Sequence, residues 1–304
     1  MGTSSATKPV KPRSDGVAIV TNAGPKTMIF KTFMLAAAFS GTAAIADAAP
    51  QIELWRLDCG RIAVNDLSIF SDTFAYAGQK KTLTDSCYLI RHDGDYMLWD
   101  TGLPAALLGK PMAADQALAP TLDRTLPDQL RQIGVQPEAI ARVGISHYHF
   151  DHLGQAADFP KARLMIGKAD FEALKTNPPP FGAMPDLAAP WLSGGAPVDA
   201  VEGDKDVFGD GSIVMLSAPG HTPGSHALLV RLAKNGPVLL TGDVAHFEKQ
   251  FETGGVPPFN TDRADSLASM ARLQSMAKTL GATLVVQHDA DDIAKLAAFP
   301  ASAK

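Results

Sequence analysis

The chain has 304 residues, enough for one large domain or two small ones. Its 27 Lys/Arg are outnumbered by 32 Asp/Glu and no basic run occurs, so nucleic acid as a partner has no electrostatic support. An apolar content of 46% is ordinary for a globular protein.

Residues 1–27 are rich in Ser, Thr, Lys and Pro and read as disordered, or as an overcalled start upstream of Met28. From Met28 a short charged start is followed by a small apolar segment, Thr32 to Ile45, and an A-D-A site ending at Ala48. This is the pattern of a secretory signal over 28–48, with a mature single domain over 49–304 that is periplasmic or secreted. The apolar run is too short and too alanine-rich for a lasting membrane anchor. Removal of residues 1–48 leaves 22 of the 27 Lys/Arg and 30 of the 32 Asp/Glu, a balance that disfavours anionic polymers. The two cysteines, Cys59 and Cys87, lie in strand-like text. They are expected as buried free thiols, with a disulfide the alternative that geometry decides.

Strands are expected over Ile52 to Leu57, Ser86 to Ile90 and Tyr96 to Trp99, the last two joined by a hairpin turn in R-H-D-G-D. D-T-G follows, from Asp100 to Gly102, then an irregular stretch from Leu103 to Leu122. Leu126 to Ile133 and Pro137 to Ala141 read as helical, Arg163 to Gly167 as a strand and Ala169 to Lys175 as a short helix. The proline-rich stretch Asn177 to Gly195 is expected to lack regular structure. Its Phe181, Met184, Leu187, Trp191 and Leu192 either form a lid over an apolar substrate or pin the loop to the body. Ala264 to Leu280 carries Leu267, Met270, Leu273, Met276 and Leu280 at helical spacing, with Gly281 as a stop. Only sixteen residues follow His288, which leaves no room for a further domain there.

The densest chemistry is S-H-Y-H-F-D-H-L-G, Ser146 to Gly154, behind the apolar run Ala141 to Ile145. His147, His149, Asp151 and His152 are ligand types that borderline cations prefer, and so dense a polar set is poor core material. Three later apolar runs end the same way: His221 in A-P-G-H-T-P-G-S, Asp243 in L-L-T-G-D-V and His288 in L-V-V-Q-H-D. Five of the eight histidines therefore fall at strand exits, where function is expected. His92 and His226 read as structural.

The order H-x-H-x-D-H, G-H-T-P-G, G-D and a late His resembles the metallo-β-lactamase superfamily over roughly Ile52 to His288. The resemblance implies an α/β fold, a four-layer αβ/βα sandwich with metals at one edge. It implies two divalent ions, zinc being the expected metal. His147, His149 and His221 would hold the first, Asp151, His152 and His288 the second, and Asp243 would bridge them. Asp100, by itself a turn aspartate, would support a ligand imidazole.

Two such ions lower the pKa of a shared water toward neutrality, and Asp151 is the ligand expected to accept a proton during the reaction. No G-x-S-x-G nucleophile elbow is found. The bridging aspartate sets the chain apart from drug-hydrolysing metallo-β-lactamases, and the absent C-terminal helical domain from glyoxalase II. A flavin-partnered di-iron member would need a carboxylate where His149 stands. L-D-C-G, D-T-G and Q-H-D look most like the N-acyl-homoserine lactonase group, which implies opening of a lactone ring on a small molecule with an apolar chain. Another exported ester, thioester or β-lactam hydrolase is the alternative. Better-known lactonases have a tyrosine three residues after the bridging aspartate; here the position is His246, expected either to donate to substrate or to pack in the wall.

Overall fold

The computed structural model describes residues 49–110 and 115–304; the readings of 1–27 and 28–48 lie outside the described residues. Twelve strands are found among these: β1 (Ile52–Val64), β2 (Lys81–His92), β3 (Asp95–Trp99), β4 (Leu118–Thr121), β5 (Ile140–Gly144), β6 (Arg163–Gly167), β7 (Val198–Val201), β8 (Lys205–Asp206), β9 (Ile213–Ser217), β10 (His226–Leu232), β11 (Gly236–Leu240) and β12 (Thr283–Val285). They form a seven-stranded sheet, β4-β1-β2-β3-β5-β6-β7, and a five-stranded sheet, β12-β11-β10-β9-β8. The helices are α1 (Leu126–Gln132), α2 (Phe150–Leu153), α3 (Lys168–Ala173), α4 (Ala189–Leu192), α5 (Glu248–Thr253), α6 (Arg263–Leu280) and α7 (Ala290–Ile293).

The layers follow from the two-residue period of the strands, which turns alternate side chains to opposite faces. Tyr88, Ile90, Met97 and Trp99 of the large sheet meet Met215, Leu228, Val230, Val238 and Leu240 of the small one. Their neighbours point outward. Leu89, Leu98, Val143 and Leu164 pack under α1, α3 and α4 through Leu126, Leu130, Phe171 and Trp191. Leu216, Leu229 and Leu239 pack under α6 through Met270, Leu273 and Ala277. The result is helix, sheet, sheet, helix, the four-layer αβ/βα sandwich implied by the motifs. Helix α6 starts on the Asp262 side chain, which accepts from the Asp265 N–H, and stops at left-handed Gly281.

The β2–β3 turn is the expected two-residue hairpin: His92 pairs with Asp95, and Asp93 has φ 51°. Four expectations change. The stretch Leu103 to Leu122, expected to be irregular, ends in β4, whose Ala119 and Pro120 pair with Ala63 and Ile62 of β1. Pro137 to Ala141 is not a helix but a single 3₁₀ turn, Pro137–Ala139, running into β5. Ile140 is buried and pairs with Tyr96, so sheet pairing overrides the local pattern. The loop from Asn177 to Gly195 carries a 3₁₀ turn, Pro185–Ala188, and α4. Their prolines sit in first turns, where a missing N–H costs nothing. Finally, the cysteines are not free: Cys59 and Cys87 form a disulfide across β1 and β2, with Cα atoms 5.8 Å apart. A bulge between Asp58 and Arg61 in β1 lets Cys59 reach the neighbouring strand.

A disulfide with a sequence separation of 28 stabilises by about 3.5 kcal/mol in the chain-entropy description. Residues 49–304 made under oxidising conditions and unfolded without reductant are expected to show no free thiol to a thiol reagent. The Cys59→Ala/Cys87→Ala variant should lose about that much free energy in denaturant unfolding. Two reactive thiols per chain would contradict the pairing.

Candidate metal centre

The strands of both sheets deliver the polar motifs to one place. β5 ends at Gly144 and hands over to Ser146, His147 and His149, and α2 adds Asp151 and His152. β9 leads to the turn of His221, β11 to Asp243 and β12 to His288. Nε2 of His221 lies 3.1 Å from Nε2 of His147 and 3.0 Å from Nδ1 of His149. The ligand atoms of His147, His149, His221 and Asp243 all lie within 4.8 Å of one another, and so do those of Asp151, His152 and His288. All seven expected metal-site residues are therefore brought together, in two groups, with Asp243 touching both. Its Oδ2 is 3.5 Å from His221 Nε2 and its Oδ1 is 3.0 Å from His288 Nε2.

The donor set fits divalent cations. Three imidazole nitrogens facing one another cannot all be satisfied by shared protons, whereas one borderline cation satisfies all three. Burial holds His147 and His221 well below the usual imidazole range and pushes His149 down to about 4, which keeps them as neutral, lone-pair donors. Burial, the largest single influence, would depress His152 and His288, but the carboxylates around them together outweigh it and raise both: Asp243, Asp100 and Asp151 at His152, and the charge and hydrogen bond of Asp243 with Asp85 at His288, which rises to about 9. Asp243 is itself held well below the carboxylate range, against burial, by the surrounding imidazoles. Its buried Oδ1 makes no well-formed hydrogen bond.

The outer nitrogen of nearly every candidate ligand has a partner of its own, which fixes ring orientation. His152 Nδ1 is 2.9 Å from Asp100 Oδ2, and Asp100 also accepts from the Ser146 N–H at 2.6 Å and from Gln287 Nε2 at 2.8 Å. Asp100 has φ 59°, a backbone conformation uncommon outside glycine, and it is completely buried. His288 Nδ1 is 2.6 Å from Thr84 O, His221 Nδ1 is 2.8 Å from Asn260 Oδ1, and His147 Nδ1 is 3.1 Å from Ser146 Oγ. Asn260, Ser146 and Gln287 were not legible as support in the sequence; the only signal for Asn260 is its place just before the Asp262 cap.

His246 joins the cluster. Its Nε2 is 3.1 Å from Asp243 Oδ2, its Nδ1 is buried without a partner, and its ring meets the edge of Phe70 at 4.8 Å. Gln250 Oε1 accepts the His246 N–H at 2.6 Å, and Gln250 Nε2 donates to Phe70 O, so the residue is pinned from behind. His92 and His226 stay apart: His92 pairs with Asp210 at 2.7 Å, and His226 is bonded to Gly224 O and Gly203 O.

The proline-rich loop divides between the two readings of it. Trp191 is buried and donates to Ala162 O, with Leu187 and Leu192 packed beside it, so this half pins the loop. Phe181 is 71% exposed and Met184 48%, and Phe181 borders the cavity over the histidines together with Phe259 and Ile69. Between Phe181 and Met184 lies Gly182, whose carbonyl accepts the Phe150 N–H at 3.0 Å. Gly182 has φ 75°, and a Cβ there would lie 2.3 Å from the His149 ring. The loop is thus bolted against a candidate ligand and leaves only its tip free.

The profile of the metallo-beta-lactamase superfamily matches residues 83–288, a span that contains every residue of the two clusters. The chain belongs to the metallo-β-lactamase superfamily. It is 30% identical over 225 residues to an N-acyl homoserine lactonase of Rhizobium radiobacter, covering 67% of this chain and 81% of that one. It is 28% identical over 255 residues to an N-acyl homoserine lactonase of a Bacillus species, covering 82% and 97%. Among solved structures, a quorum-quenching N-acyl homoserine lactone hydrolase superposes with a TM-score of 0.71 at 25% identity, over 84% of this chain and 99% of that one. Among the described residues no helix is long and apolar enough to cross a membrane.

Asp100→Asn removes the charge behind His152 while keeping its shape. Competition with a chelator is expected to show metal affinity reduced about 10- to 100-fold with the fold retained; unchanged affinity would mean that Asp100 only shapes a turn.

Proposed function

We propose that this protein is a metal-dependent hydrolase that opens the ring of N-acyl-homoserine lactones. The observation that carries this reading is the cavity over the histidines. One end is formed by His149, Asp151, His221, Asp243, His246 and His288, and its walls are apolar: Ile62, Ile69, Phe70, Leu83, Leu118 and Phe259. Such a cavity places a polar, hydrolysable head at the cluster and an apolar tail along the wall. The lactonase names of the relatives support the same substrate class.

In this reading His147, His149 and His221 hold one cation, Asp151, His152 and His288 a second, and Asp243 lies between; zinc suits this nitrogen-rich set. When bound, the pair supplies a water acidic enough to act as hydroxide near neutral pH and a Lewis acid for the carbonyl oxygen. The chain's own groups do the rest. Asp151, whose side chain is 13% exposed at the cavity, takes up a proton as the ring opens. His246, with Nδ1 unpartnered, donates a hydrogen bond to the substrate oxygen, the task that falls to a tyrosine in the better-known lactonases. The apolar wall and Phe181 exclude water and fix the acyl chain. The disulfide supports an exported protein, since such bonds persist in oxidising compartments.

The direct test is ring opening by residues 49–304, metal-loaded, on a homoserine lactone series of varied acyl length, with a cephalosporin and a thioester alongside. Proton release on the lactones, lost on chelation, is expected; turnover of another substrate with silence on lactones would discard the substrate and keep the site. Asp151→Asn should fold and be nearly inactive. His246→Phe should lower kcat by about 10²-fold with metal content unchanged; full activity would make His246 a wall residue. Phe181→Ala should raise KM for long acyl chains and leave short ones alone.

A further inference from the structure

Asp170 lies outside every recognised motif, on α3, yet it is completely buried. It reaches the site edge because β6 runs parallel to β5, so both strands end on the same side. Its two oxygens accept three hydrogen bonds. Oδ2 takes the Tyr148 N–H at 3.1 Å and the Thr222 hydroxyl at 2.7 Å; Oδ1 takes the Gly224 N–H at 2.6 Å. Tyr148 stands between His147 and His149, and Thr222 and Gly224 follow His221 in its turn. The turn is closed on itself, the Thr222 N–H donating to Ser225 Oγ at 3.0 Å. The fit is tight: a Cβ at Gly224 would lie 2.6 Å from Asp170 N and 2.7 Å from its Oδ1.

We propose that Asp170 is the positioning residue of the first metal position: it locks the His147–His149 segment to the His221 turn and so sets the distance between those three imidazoles. These ligands come from different sheets. One backbone bond, the His226 N–H to Ser146 O at 2.8 Å, joins the strands behind them, and the Asp170 carboxylate, accepting from both turns, ties the ligand-bearing turns themselves. Burial pushes this carboxyl up to about 7, and the three donors act in the opposite direction. The second position has a carboxylate of its own, since Asp100 holds Ser146 and His152. Loss of Asp170 is therefore selective: it loosens His147, His149 and His221 and spares Asp151, His152 and His288.

Asparagine is the sharp replacement. It keeps the volume but has one acceptor oxygen, and its NH₂ faces an N–H donor in either orientation. The inference rests on the metal assignment and not on the lactone, so the test counts metal. Metal-free wild type, Asp170→Asn, Thr222→Val and Thr222→Ser (each as the mature chain) are titrated with Co²⁺, reading equivalents bound and visible absorption, beside thermal unfolding of the metal-free forms. Wild type is expected to take two equivalents. Asp170→Asn should keep one at wild-type affinity and bind the other about 10- to 100-fold more weakly. Thr222→Val should weaken the same equivalent less, and Thr222→Ser should restore it. If Asp170→Asn fails to fold, the Thr222 pair decides. Wild-type binding at both positions in Asp170→Asn or, failing that, in Thr222→Val, or equal weakening of both equivalents, would overturn the proposal. A wild type that takes up no cobalt would instead overturn the metal reading beneath it.

Discussion

The carboxylate of Asp243 is the group around which this molecule has to be built. It is 5% exposed, and imidazole nitrogens of His147, His152, His221, His246 and His288 lie 3.0–3.7 Å from its oxygens. A bare carboxylate in such a place would cost several kcal/mol. Positive charge must stand beside it, as protonated imidazoles or as cations. Everything around it serves that need. Two sheets bring their strand ends together, and an outer ring of Asp100, Asn260, Ser146 and the Thr84 carbonyl turns four of the imidazoles inward.

The strand exits were legible because their text is unambiguous. A run of Val, Ile or Leu followed by His or Asp can scarcely be a helix or a surface loop, and four motifs in order narrow the fold to one. The long α6 was legible for the same reason, its apolar residues recurring at three and four. What sequence could not show is contact between distant segments. Asp170 and Thr222 are 52 residues apart, and Asp100 and Gln287 are 187 apart; nothing local announces either pair. The cysteines belong here too: a buried thiol and half of a disulfide look alike in strand-like text, and only the bulge in β1 brings Cys59 over Cys87. Ile140 and the prolines of the 177–195 loop failed in the other direction, where local pattern was overruled by strand pairing and by helix first turns.

Rigidity and access are divided along the chain. The edge that carries the imidazoles is tied to the core by α2, by the Asp100 network and by Gly182 against His149. The freedom is left to side chains such as Phe181 and Met184, exposed at the tip of the same loop. Groups that need fixed distances sit on strand ends, and exposed apolar side chains sit on a loop beside them.

The most direct measurement is a zinc-soaked crystal of residues 49–304 examined by anomalous scattering at the zinc edge. Two peaks are expected, one among His147, His149 and His221 and one among Asp151, His152 and His288, with Asp243 between them. A single peak, or none with the imidazoles paired to Asp243 by protons alone, would contradict the dinuclear centre and the hydrolase built on it.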